Sequence, residues 1–212
     1  MTAHPLETPP EGLPDDPRAV VEQLRGRIHA LQGGPTRLTV PTSDRLGDLD
    51  EVLTLRTGGV YGVDSASLAM SLAAGASRAG SWVGFAGWDD FGAEAAQQIG
   101  IDLARTVLVP APGEHWLEVA AALVDVLSVL VLRPSGPVDA RSASVLEARL
   151  RARSAVLVVQ GEWPRCEARV STAQVVWEGV EQGRGRLRER RAEVVVHRGG
   201  RAAGRARLRL AG

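Results

Sequence analysis

The fold is decided by the stretch Gly58-Gly59-Val60-Tyr61-Gly62-Val63-Asp64-Ser65-Ala66-Ser67-Leu68-Ala69-Met70-Ser71-Leu72. Its first part is short and apolar, as expected of a buried strand. Small, turn-compatible residues follow, and Asp64 and Ser65 are of the types that cap helices. Apolar side chains then recur with helical spacing up to Leu72. The stretch therefore predicts a strand, a tight turn and a helix in direct succession.

The same stretch has the position, but not the chemistry, of a phosphate-binding loop. Such a loop holds phosphates with backbone amides and a lysine, and it supplies a hydroxyl to Mg²⁺. Here a leucine stands at the lysine position and an alanine at the hydroxyl position, and the chain contains no lysine at all. We interpret it as a degenerate nucleotide site, and we predict no catalytic residue, cofactor or metal. Its loop residues are Gly62, Asp64, Ser65, Ser67, Leu68 and Ala69.

Apolar runs of four to six residues alternate with amphipathic segments downstream of Gly58. This alternation predicts an α/β fold with a mostly parallel sheet covered by helices on both faces. The predicted strands are 60–63, 81–86, 106–109, 128–132 and 155–160. The predicted helices are 65–79, 91–99, 114–126 and 140–153.

The sequence pattern changes after Gly161, where alternating polar and apolar residues replace the continuous apolar runs. Half-exposed antiparallel strands have this pattern, so we expect them to extend the sheet. The predicted strands are 167–170, 174–177, 187–196 and 205–210. Upstream of Gly58, shorter strands are expected over 37–40 and near 52–55.

Two further positions decide whether such a fold can hydrolyse a nucleotide. An acid at the end of the second strand orients water, and an aspartate closing a later apolar strand holds Mg²⁺. The second strand runs into Trp88 before Asp89 and Asp90, and the later strand ends in Arg133. We expect Arg133 to be a surface or interface residue, with charge donation to a bound anion as the alternative. The five tryptophans are expected in the core or at its rim, and Trp88 is the candidate for an exposed position.

Composition narrows the class of protein and predicts how the chain is divided. The single Cys166 rules out an internal disulfide, and no basic segment followed by an apolar run begins the chain. We therefore expect a cytoplasmic protein. The predicted parts are a disordered, proline-rich leader (1–16), an N-terminal helix (17–35), a core (36–183) and arginine-rich C-terminal strands (184–212).

The zero net charge hides a strongly basic C-terminal segment. Residues 184–212 carry ten arginines against two glutamates, so the rest of the chain is acidic. The pattern allows contact with a protein partner, contact with nucleic acid, or a merely solvated strand face. The candidate contact residues are Arg184, Arg186, Arg188, Arg190, Arg191, Arg205, Arg207 and Arg209.

Several runs resemble the RecA ATPase core, a P-loop NTPase fold. These are the Tyr61-Gly62 pair before the loop, the Gly100-Ile101-Asp102 turn, and the Pro112-Gly113-Glu114 start of a helix. The resemblance covers about residues 17 to 200. It implies a RecA-like core whose catalytic motifs are missing from this sequence.

A closer likeness is to the RecA-like ImuA accessory proteins, in particular the truncated actinobacterial ImuA-prime type. It rests on the runs 57–61, 63–70, 90–96, 131–134 and 185–191. The resemblance implies a role in the SOS response, in DNA-damage-induced mutagenesis and translesion synthesis, and with it association with the nucleoid under DNA damage. The implied partners are an ImuB-like Y-family polymerase homologue and an error-prone DnaE-type polymerase, with the C-terminal region as the candidate contact segment for ImuB.

We therefore expect a non-catalytic adaptor on a RecA-like fold. Two alternatives remain open at this point. One is a DNA-binding module that uses the arginine-rich segment, and the other is a switch that binds ATP without hydrolysing it.

Overall fold

The computed structural model describes residues 37–43, 46–181 and 184–210. The chain divides into two units, residues 1–36 and 37–212, and only the second is described here. The predicted leader (1–16) and N-terminal helix (17–35) lie outside the described residues. No helix in the described ranges is both long and apolar enough to cross a membrane.

Five parallel strands and the helices between them form the first part of this unit, as the alternating pattern predicts. The strands are β1 (Val60–Val63), β2 (Val83–Ala86), β3 (Thr106–Val109), β4 (Val129–Leu132) and β5 (Val156–Gln160). The helices are α1 (Leu49–Val52), α2 (Ala66–Arg78), α3 (Ala93–Ile99), α4 (Trp116–Val124) and α5 (Ala140–Arg153). Short 3₁₀ turns at Leu103–Arg105 and Gly113–His115 precede β3 and α4.

Three long strands complete one eight-stranded sheet: β6 (Ala168–Glu181), β7 (Arg184–Arg198) and β8 (Arg201–Leu210). The strand order is β3-β2-β4-β5-β1-β6-β7-β8. Strand β6 runs parallel to β1, whereas β7 is antiparallel to both β6 and β8. The expected C-terminal antiparallel strands are confirmed. The two strands predicted over 167–170 and 174–177 are one strand with a register shift between Thr172 and Gln174.

The central strands are buried on both faces because helices cover them on each side. Strands β1, β2 and β4 have no exposed residue, which explains their continuous apolar sequences. One core layer contains Leu68 and Leu72 of α2, and the other contains Leu146 and Leu150 of α5. The sheet is therefore the partition between two apolar cores.

The segment before β1 differs from its prediction of two strands. A single antiparallel bridge joins Thr39 to Arg56, and the short helix α1 occupies part of the second predicted strand. Leu49, Leu53 and Leu55 are all fully buried, so the segment supplies core residues. An ideal Cβ on Gly204 of β8 would lie 2.7 Å from Val52 Cγ1, which shows how closely the segment packs on the last strand.

Candidate functional site at the carboxyl edge of the sheet

The loop after β1 is held by contacts within the chain. Ser65 Oγ accepts a hydrogen bond from Leu68 N at 3.4 Å and caps α2, as predicted. Asp64 does not cap the helix, because its carboxylate accepts from Thr172 N (2.6 Å) and Thr172 Oγ1 (3.1 Å) on β6. Leu68 and Ala69 are completely buried, so the residue at the lysine position packs inward.

An arginine that the sequence pattern did not single out covers the last residues of β1. The Arg169 guanidinium carbon lies 2.9 Å from where a Cβ on Gly62 would be, so a larger residue at 62 would displace it. Arg169 Nη1 donates to the Gly161 carbonyl at 3.0 Å. The register places Arg169 beside Gly62 across the β1–β6 pair, a long-range pairing that local sequence does not reveal.

The turn after β2 buries Trp88, which confirms the expected core position and rules out the alternative of exposure. Trp88 is only 1% exposed, and its ring makes an edge-to-face contact with Phe85 at 5.6 Å. Gly87 has φ +78°, and a Cβ there would lie 2.0 Å from the Arg133 carbonyl oxygen. The chain therefore passes so close to Arg133 that only glycine fits, and this directs the next side chain into the core.

Arg133 connects three strand ends across this edge. Its guanidinium lies 4.4 Å from the Trp88 ring centroid, Nη1 is 2.7 Å from Asp90 Oδ1, and Nη2 donates to Gln160 Oε1 at 3.1 Å. Asp89 is 3.8 Å from the same guanidinium. The hydrogen bond from Arg133 holds the pKa of Asp90 below its ordinary value. The charge of Arg133 is thus matched within the chain, which gives no support to the alternative of charge donation to a bound anion.

The positions compared above with the phosphate loop, the water-orienting acid and the Mg²⁺-binding aspartate of an ATPase follow β1, β2 and β4. They lie at one edge of the sheet because these strands are parallel. Ligands of open α/β sheets bind beyond the carboxyl ends of such strands. Here the loop bonds to β6, Trp88 fills the core, and Arg133 pairs with the acids that follow β2. In the described ranges no group of three or more His, Cys, Asp or Glu side chains is placed to hold a metal ion.

The candidate arginines of the C-terminal segment fall into separate groups. Arg205, Arg207 and Arg209 are exposed on one face of β8, and Arg191 is exposed opposite Arg209 on β7. Arg190 faces the other way: it lies 5.2 Å from the Trp177 ring and donates to Ser67 Oγ at 3.2 Å. Arg184, Arg186 and Arg188 lie on β7, and their side chains are outside the described part of the chain.

A polar network below this edge fixes the single tyrosine of the chain. The Tyr61 hydroxyl accepts from Arg56 N at 2.7 Å and lies 3.2 Å from Glu167 Oε2. Glu167 is held by a two-point ion pair with Arg37, at 2.8 and 2.5 Å. Burial is the main cause that raises the pKa of Tyr61 from 10.0 to about 12. The tyrosine of the Tyr61-Gly62 pair is therefore a structural group that joins β1 to its neighbours.

Stability should depend on pH in the alkaline range because of Tyr61. The folded state favours the neutral phenol, so its contribution is complete below pH 10 and is lost as the pH rises towards about 12. Tyrosinate absorbance of the native protein should titrate near pH 12, and that of the denatured chain near pH 10. Tyr61→Phe should remove the alkaline loss of stability in this window. A native midpoint near 10 would contradict the buried network.

Comparison with known proteins places the chain in a family. Residues 50–165, which include β1 to β5, match the family model described as the MT3502 N-terminal domain. The chain is also similar to the "Uncharacterized protein Rv3395c" of Mycobacterium tuberculosis (strain ATCC 25618 / H37Rv), with 32% identity over 160 residues. That alignment covers 71% of this chain and 74% of the relative. The chain belongs to the family of the MT3502 N-terminal domain.

Proposed function

We propose that this protein is a non-catalytic RecA-like accessory protein of the ImuA-prime type. It acts in DNA-damage-induced mutagenesis by binding an ImuB-like Y-family polymerase homologue, and through it an error-prone DnaE-type polymerase. The observation that carries the proposal is that contacts within the chain occupy the carboxyl edge of the sheet. We call this arrangement the closed edge. There Arg133 is bonded to Asp90 and Gln160 and stacked on Trp88.

The arrangement of the elements supports a degenerate P-loop NTPase core. A strand, a glycine-containing turn and a capped helix follow one another at β1 and α2. The ends of β2 and β4 lie beside each other in the sheet, where the acids of an ATPase would act. In this proposal the fold keeps the arrangement of strands and helices of a nucleotide-hydrolysing enzyme.

The filled positions argue against hydrolysis. Loss of one charged or hydrogen-bonding stabiliser from a reaction site commonly costs about 10²–10³ in rate. Here the lysine is replaced by the buried Leu68, and the acidic position after β4 by the paired Arg133. These losses are not simply additive, but together they remove the loop lysine and put an arginine in place of the carboxylate after β4. We therefore assign a binding role, without hydrolysis, to this arrangement of strands and helices.

Co-purification with the ImuB-like homologue tests the proposal. We expect a complex that forms without added nucleotide, and a lower damage-induced mutation frequency when the gene is deleted. Truncation after residue 183 is a poor probe, because β7 and β8 contribute Val194, Val196 and Leu208 to the core. Point variants on the exposed strand faces keep the fold and are therefore the better test.

An ATPase measurement provides the contradicting outcome. DNA-dependent ATP turnover that disappears in Asp90→Asn would sink the non-catalytic assignment, because the activity would then depend on this protein's own carboxylate after β2. Turnover that is unchanged in Asp90→Asn but follows the protein through purification would contradict the assignment as well. Nucleotide-dependent thermal stabilisation would instead favour an ATP-binding switch without hydrolysis.

DNA binding is a second candidate function, favoured by the exposed arginines of β8. Fluorescence anisotropy with single- and double-stranded DNA measures it directly. Binding through phosphates would be strong at ~50 mM salt and weaken steeply as salt rises. Absence of salt-sensitive binding at that concentration would remove this candidate.

A further inference from the structure

We infer that the face of β6, β7 and β8 that no described helix covers is a docking surface for an extended, acidic polypeptide segment that also carries apolar side chains. The inference rests on the proposed adaptor function, and it supplies the chemistry of the partner. We call this surface the basic face. Its described members are Gln174 and Val176 on β6, Arg191, Glu193 and Val195 on β7, and Arg205, Arg207 and Arg209 on β8.

The two faces of these strands have opposite environments. Ala192, Val194 and Val196 point to the face that packs against the core, and they are at most 2% exposed. Alternate residues of the same strands point to the basic face, since successive side chains of a strand alternate. On that face Val176 keeps 45% of its surface exposed. The helices α4 and α5 cover the same side of the sheet only over its parallel part.

The charge of the basic face favours an acidic ligand. Among its described side chains four are arginines and one, Glu193, is a glutamate. Glu193 is already engaged with Arg205 Nη1 at 2.8 Å, so its charge is partly matched inside the protein. Arg205, Arg207 and Arg209 alternate along β8 with a spacing of about 7 Å. Carboxylates on alternate residues of an extended segment have the same spacing and can pair with them.

The shape of the basic face favours a polypeptide. A groove of about 820 Å³ lies along it, with Val176 and Gln174 in its lining together with Arg191, Arg207 and Arg209. Asp48 also lines the groove, so three arginines stand there against Asp48 and Glu193. The exposed valine offers an apolar contact beside the arginines, a combination found at the centre of protein interfaces. An acidic segment with interspersed apolar residues can use both kinds of contact at once.

Nucleic acid fits the basic face less well. No aromatic side chain is present among the described members of this face, so bases have no stacking platform. The nearby Trp177 pairs with Arg190 on the opposite face.

The segment should lie across the face, and addition to the free edge of β8 is disfavoured. An ideal Cβ on Gly47 would stand 2.6 Å from the Arg207 carbonyl oxygen, so the chain before α1 already lies against this edge. A new strand added there would compete with that contact. The side chains of the basic face, in contrast, point away from it.

Peptide binding to the full-length protein tests the inference. The probe is a fluorescein-labelled dodecapeptide that alternates Glu and Val, and the controls are the Lys–Val analogue and a single-stranded dT oligonucleotide. We expect salt-sensitive binding of the acidic peptide alone. The double variant Arg207→Glu with Arg209→Glu should weaken it about tenfold or more. Val176→Asp should weaken it as well, because it places a like charge in the groove.

A matched variant controls for total charge and for folding. Arg141→Glu with Arg201→Glu makes the same change in net charge at two exposed positions away from the groove, and it should bind like the wild type. No binding of the acidic peptide, or equal loss in both double variants, would overturn the inference. So would arginine-dependent binding of the oligonucleotide that is tighter than that of the peptide. Co-purification with the ImuB-like protein is a separate readout, so either result can fail without the other.

Discussion

Replacing Leu68 with lysine is expected to destabilise the protein by about 3–5 kcal/mol and not to create a nucleotide site. Leu68 is completely buried in the core layer beneath α2. A lysine there must either bury an ammonium group without a partner or become neutral, and both are costly. Chemical denaturation measures the loss of stability, and ATP-dependent thermal shift measures any gain of nucleotide binding.

Leu68→Met is the matched control, since it conserves volume and apolar character. It should cost less than about 1.5 kcal/mol. If Leu68→Lys instead folded with unchanged stability and bound ATP, the loop would be a working phosphate site short of one residue. The closed-edge interpretation would then be wrong.

Trp88→Ala is expected to cost about 3–5 kcal/mol, because it removes the largest fully buried side chain of the described residues. The cavity would lie between Phe85 and the Arg133 guanidinium. Arg133 would also lose its stacking partner, which loosens its link to Asp90 at the strand ends. Equilibrium denaturation measures the free energy of unfolding, and tryptophan fluorescence follows the change of environment.

Trp82→Ala is the control for this experiment. Trp82 precedes the same strand and is 50% exposed, so its removal should cost about 1 kcal/mol or less. Equal losses in the two variants would show that Trp88 is not a core residue. The packing of Trp88 in the core would then no longer explain why the carboxyl edge is closed.

The local pattern was sufficient for the elements of the parallel sheet. Strands β1 and β3 and helix α5 have the bounds that periodicity predicts, and the remaining strands and helices between β1 and β5 differ by one or two residues at their ends. The Ser65 cap was also predictable, because a serine before a helix accepts a hydrogen bond from the first turn. Such features depend on residues close together in the chain.

The environment of the candidate site was not predictable in the same way. The acids after Trp88 left exposure open as an alternative to core packing, and the tight turn at Gly87 directs its ring inward. Arg169 gave no local signal, since its position over Gly62 depends on the pairing of β6 with β1. The bridge from Arg133 to Gln160 likewise joins groups 27 residues apart in the chain.

The sequence by itself determined that the chain is an α/β protein, that the loop after its first buried strand lacks a lysine, and that its C-terminal strands are rich in arginine. Only the tertiary structure decided which side chains occupy the carboxyl ends of β1, β2 and β4 and which arginines share a face. The physical reason is that strand order and register bring distant residues together. Helical and strand periodicities report burial along one element, whereas an ion pair between strand ends depends on which elements become neighbours.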